Sequence, residues 1–155
     1  MRSVTSVIPH PDPLPEGEGK VLRSVMVLGL VWLAACTPAA DAPAEPVWGK
    51  QACGHCAMLV TEQPPSAQLT LADGSRRFFD DVGCMVSFLE REHVKAQHLW
   101  VRHGLSWVPA ERARFQGGVP TPMDFGFIAA DSGVDWATVQ AAVREQTRKR
   151  LEARR

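Results

Sequence analysis

Two thiols, an imidazole and a thioether fall within the six residues Cys53-Gly54-His55-Cys56-Ala57-Met58. These are soft, polarisable donors with nitrogen beside them, the set that selects Cu(I) or Zn(II) over hard cations such as Mg(II) or Ca(II). A CxxC step turns two sulfurs toward one point, and Met58 reaches the same point if the chain then extends. The stretch reads as a metal site.

Other chemistries use the same residue types. Covalent haem attachment needs a histidine directly after the second cysteine, where this chain has Ala57. Thiol–disulfide exchange is the stronger rival, because Cys-Gly-His-Cys also serves as a redox tetrapeptide. That chemistry places its CxxC after a buried strand and at the start of a long helix, whose N-terminus stabilises the thiolate. Here residues 41–48 are rich in Ala and Pro, and the run 59–63 stops at Pro64-Pro65, so a short strand fits better. A purely structural Cys53–Cys56 disulfide remains open as well.

The elements that must position these donors come from a chain of 155 residues, 45% hydrophobic and 22% charged, enough for one modest domain. A formal net charge of +0 argues against nucleic acid as a partner. Residues 1–20 hold little that builds a core and read as a disordered or mis-assigned leader, with translation starting near Val21 or Met26. Residues 21–35 have the form of a signal peptide: Lys20 and Arg23 precede an apolar run, and small residues lead into a cysteine at Leu33-Ala34-Ala35-Cys36. Cys36 is then the lipidated first residue of an exported, membrane-anchored protein. The uncharged run is shorter than the roughly 20 residues that span a bilayer. Thr37 rather than Asp after Cys36 points to the periplasmic face of the outer membrane in a host with two membranes. Residues 36–47 read as an Ala/Pro-rich tether. With Cys36 acylated, three cysteines remain, an odd number that suits a metal site better than disulfides.

In the domain, residues 48–145, alternation at Ala67, Leu69 and Leu71 predicts a half-buried strand, and Asp73-Gly74 a tight turn into a second strand at 76–79. Asp80 or Asp81 caps a helix over 82 to about 92, with Val82, Met85, Phe88 and Leu89 on its buried face and Cys84 beside them. Strands follow at 98–102, 106–108 and 125–130, with 116–122 a loop between the last two. Asp135 caps a final helix that buries Trp136, Val139 and Val143, and 146–155 is a solvated basic end. His55, Cys84 and Met123 are further candidate donors, each with a plain structural alternative: a surface ring, a buried small hydrophobe and a packing side chain.

Three blocks in this order behind a lipobox, Cys53 to Met58, Phe79-Asp80-Asp81-Val82-Gly83-Cys84-Met85 and Thr121-Pro122-Met123-Asp124-Phe125-Gly126, resemble the NosL family of copper lipoproteins. The resemblance covers roughly residues 48–143. It implies an α+β fold of two small related strand/helix units, ββαβ-like, packed as one compact domain. It also implies a non-enzymatic Cu(I) carrier that delivers copper to a copper-accepting enzyme or assembly factor, nitrous oxide reductase. Matched position by position, it makes Cys56, Met58 and Met123 the first ligands; Cys53, and His55 and Cys84 as additional candidates, rest on the donor types alone. Ala57 and Asp124 depart from the family, which commonly has Gly at both places. A thiol–disulfide oxidoreductase using Cys53 and Cys56, or a structural or sensory zinc protein, are the alternatives from other classes.

Overall fold

The computed structural model describes residues 41–61 and 63–155; the leader, the expected signal peptide and Cys36 lie outside them. Strand β1 (Ala67–Leu71) turns into β2 (Arg76–Phe79) through Asp73 and Gly74. The turn works because Gly74 takes φ +78, open to a residue without Cβ, while the Asp73 carboxylate accepts from the Ser75 N–H at 2.8 Å. Helix α1 spans Val82–Glu92. It starts at Asp81, whose carboxylate accepts from the Gly83 N–H, and stops at His93 in the left-handed region, φ 50. Strands β3 (Ala96–His103) and β4 (Ser106–Pro109) complete an antiparallel sheet in the order β2-β1-β3-β4. A 3-10 turn, Ala110–Arg112, leads to β5 (Arg114–Gly117), which pairs antiparallel with β6 (Phe127–Ala130). Helix α2 (Trp136–Glu152) follows, capped by the Asp135 carboxylate on the Thr138 N–H.

The fold is α+β. Its first unit is β1-β2-α1-β3, a ββαβ arrangement. The second repeats only the strand-strand-helix order, because β4 pairs with β3 and serves the first sheet. Leu69, Phe79, Val82, Met85, Val86 and Val101 are fully or almost fully buried between sheet and α1. Each such side chain contributes about 1.5–3 kcal/mol.

Four features differ from the sequence expectation. Strand β1 is buried on both faces: Gln68 and Thr70 are as inaccessible as Ala67 and Leu69. The cover on the second face includes residues 41–47, expected as a tether. Ala44 donates to the Gln68 amide oxygen at 2.9 Å and accepts from its nitrogen at 2.8 Å, and the Glu45 carboxylate takes both Arg102 and the Trp107 indole. Residues 114–117 form β5, although 116 and 117 belong to the expected loop. Phe115 alone is buried among polar neighbours, so no period shows, yet its N–H and C=O pair with Val134 at 2.9 and 3.0 Å. Strand β6 begins at Phe127 rather than at residue 125. Helix α2 itself runs through Glu152, as a solvated basic helix end should, with Arg148 bridging to Glu145 and Glu152 along its surface.

Candidate metal centre

The CxxC segment sits on neither a strand nor a helix but at the tip of a small closed loop. Gly49 N–H donates to the Val60 C=O at 2.9 Å and Val60 N–H to the Gln51 C=O at 2.8 Å, and Ala52 bridges Leu59. Inside that clasp the Cys53 N–H reaches the Met58 C=O at 2.7 Å and the Ala57 N–H the Cys53 C=O at 3.1 Å. Closing so tight a turn forces Ala57 to φ +63. The loop is pinned to the sheet by the Gly54 N–H on the Phe78 C=O and by the Thr61 N–H on the Asp80 carboxylate, both at 2.8 Å.

The pinned loop faces the first turn of α1, which supplies the third thiol. The sulfurs of Cys53, Cys56 and Cys84 all lie within 4.8 Å of one another. All three cysteines are free, with Cys53 and Cys84 buried and Cys56 half-buried. The Cys84 thiol donates to the Cys53 sulfur, and the backbone N–H groups of Cys56, Asp80 and His55 favour its thiolate too. Together they hold Cys53 down to about 4 despite burial. Its partner Cys84 is pushed up for the same reason, as the donor that keeps its proton, and burial pushes Cys56 up. One pre-formed thiolate is therefore shared among three sulfurs.

A second set of contacts brings Met123 to the same region. Asp81 accepts from the Gly83 N–H with one carboxylate oxygen and from the Met123 N–H, at 3.2 Å, with the other. Burial raises its pKa, opposed by Thr121 and by these N–H groups. Gly83 lets the methionine loop approach: a Cβ there would lie 2.0 Å from Cγ of Phe125. Arg150 of α2 clamps the loop from outside, donating to the carbonyls of Met123 and Asp124 at 3.0 and 2.9 Å with its guanidinium 4.6 Å from the Phe125 ring. Asp124, like Ala57, sits at positive φ, +54.

The sequence candidates thus fall into three groups. Cys53, Cys56 and Cys84 converge. His55 and Met123 line one cleft together with Cys56. Met58 is 47% exposed and joins the loop through its carbonyl. His55 is held neutral by burial and by Arg91, and its Nδ1 is buried with no hydrogen-bond partner. Asp81, Gly83 and Arg150, which orient the donors, were not singled out from the sequence as site residues. The signal available was the Asp81-Val82-Gly83-Cys84 run, where a cap and a side-chain-free position directly precede a thiol.

An ion centred in a triangle of 4.8 Å sides lies about 2.8 Å from each sulfur, so drawing each sulfur in by about 0.5 Å gives the roughly 2.3 Å of a metal–thiolate bond. The residues fit a soft metal ion. No histidine nitrogen or carboxylate oxygen belongs to the group among the described residues, so a four-ligand zinc site is not pre-assembled. His98 and His103 instead face Asp41 and Asp131, at 3.4 and 3.3 Å. Thiol exchange fits the geometry poorly, since the ionised sulfur, Cys53, is only 3% exposed and the reachable Cys56 keeps its proton.

No family model matches the sequence, and the search of curated proteins also returned no match. Among solved structures, the chain is similar to the crystal structure of the copper chaperone NosL from Shewanella denitrificans, with 19% identity over 66% of this chain and 87% of that one, at a TM-score of 0.46.

Proposed function

We propose that this protein holds Cu(I) outside the cytoplasm and passes it by ligand exchange to a copper-accepting enzyme or assembly factor, with nitrous oxide reductase as the recipient. The observation that carries the reading is the convergence of three sulfurs within 4.8 Å, two of them on buried cysteines and the third at the edge of a cleft. Thiolates hold Cu(I) in preference to hard ions. Cys53 and Cys84 are the buried anchor, and Cys56 is the ligand that an incoming Met, His or Cys displaces. Met123 stands at the same edge and keeps copper bound while Cys56 lets go. Export and anchoring at the periplasmic face of the outer membrane through Cys36 are part of the proposal, and the basic-apolar-small pattern before Cys36 supports them. The recipient is taken from the motif resemblance.

The test is an anaerobic Cu(I) titration of the reduced chain from Cys36 onward against a chromogenic Cu(I) chelator. One Cu(I) per chain is expected. Cys56→Ser and Cys84→Ser should each weaken binding by more than about 100-fold, beyond what outer-sphere partners carry, and Met123→Leu by about tenfold. Failure to compete with the chelator, or displacement of Cu(I) by equimolar Zn(II), would overturn the copper reading.

A further inference from the structure

We propose that the arginine-rimmed apolar cleft leading away from Cys56 and Met123 is the docking groove for an acidic, apolar-anchored segment of the protein with which copper is exchanged. This rests on the copper reading above and names the chemistry of the partner.

The cleft, of about 810 Å³, runs between α1 and the C-terminal half of α2, and His55, Cys56 and Met123 stand among its walls. Its floor is Val86, Phe125 and Val143, all buried, and Leu151 stands at its side 58% exposed. Covering the exposed Leu151 side chain removes apolar area from water, and the concave floor beside it gives an apolar anchor a place to sit.

Charge decides what covers it. Five arginines, Arg91, Arg144, Arg148, Arg150 and Arg154, line the cleft against a single carboxylate, Glu90. Arg144 is paired with Glu90, Arg91 with Glu92, and Arg148 with Glu145 and Glu152. Arg150 spends its hydrogen bonds on two carbonyls and lies over a ring, partners that leave its charge uncancelled. The glutamates cancel most of the rim's charge, so the cleft keeps a small positive excess, carried by Arg150 and Arg154 at the α2 end, while the whole chain is formally neutral. An occupant that matches both features carries apolar side chains for the floor and carboxylates for the rim. A flat anionic membrane matches the rim but not a concave floor. A protein segment also brings a donor side chain up to Cys56, as ligand exchange requires.

Two synthetic amphipathic peptides serve as probes. Each has leucines along one face and a terminal Met-x-x-Met pair, one flanked by glutamates and the other by lysines. Stopped-flow transfer of Cu(I) from the loaded chain should be about tenfold faster to the Glu peptide at low salt, with the difference vanishing in concentrated salt. Leu151→Glu and Arg154→Glu should slow transfer to the Glu peptide by a similar factor and leave Cu(I) affinity against the chelator unchanged. Equal rates to the two peptides, or variants that transfer like the parent, overturn the proposal. So does the absence of peptide selectivity together with co-sedimentation on phosphatidylglycerol vesicles that both variants lose, which assigns the face to a membrane. Anisotropy binding of the two labelled peptides to the metal-free chain judges the groove even if the chelator titration rejects the copper reading.

Discussion

Cys53 is the residue on which the site's chemistry turns. Burial alone would raise its pKa, but a thiol donor and three backbone N–H groups reverse the sign and leave a thiolate above about pH 4. Cys56 and Cys84 keep their protons at neutrality, so Cu(I) bound as proposed would displace two. Because binding releases protons, acidification favours the metal-free form. The Cu(I) affinity should fall by up to about 100-fold per pH unit between about pH 8 and 6, read by chelator competition across that range. A flat profile would mean that the two protonated thiols are not ligands. Ala57 is the other telling residue. An L-residue with a Cβ at φ +63 carries strain of about 1–2 kcal/mol, partly offset in glycine by its greater chain entropy. Ala57→Gly should raise urea stability by about 0.5–1 kcal/mol. Asp124→Gly should raise it less, because Asp tolerates the left-handed region better.

At the scale of elements, the first turn of α1 joins two parts of the site. One carboxylate, Asp81, both caps the helix that carries Cys84 and holds the backbone of Met123, and Gly83 lets Phe125 rest on the helix. Gly83→Ala would help an isolated helix by up to about 1 kcal/mol. Here it should destabilise the domain by about 1–3 kcal/mol, as overpacking does, and weaken Cu(I) binding by pushing the methionine loop away. Parallel loss of Tm and of affinity is the expected result. A more stable Gly83→Ala protein would show that the loop yields freely and that Met123 has no fixed place.

Across the whole molecule, the first sheet is a central layer, with α1 on one face and the chain's own residues 41–47 covering part of the other. The Gln68 amide is saturated by Ala44. Arg102, 5% exposed, pairs with Glu45 and lies 5.8 and 5.2 Å from the rings of Trp48 and Trp107. A chain beginning at Trp48 strands these groups. It should lose at least about 1–3 kcal/mol relative to one beginning at Asp41, the cost of the Gln68 amide alone. Urea melts of the two forms measure the difference, and equal midpoints would mean that water replaces the strap at no cost.

The sequence by itself determined the hairpin at Asp73-Gly74, the extent of α1, the Asp135 cap and the apolar face of α2, because each depends on local backbone preference or on a period visible within one element. It also determined the chemical type of the site, since soft donors two or three residues apart need no distant partner to be recognised. Only the tertiary structure decided that Cys84 joins Cys53 and Cys56, because the CxxC loop is pinned beside α1 by the Gly54 N–H on the Phe78 carbonyl and the Thr61 N–H on the Asp80 carboxylate, neither of which a periodicity records. It likewise decided that Gln68 and Arg102 are interior. A polar side chain is buried when a particular partner saturates it, and those partners, Ala44 and Glu45, lie 24 and 57 residues away in the chain.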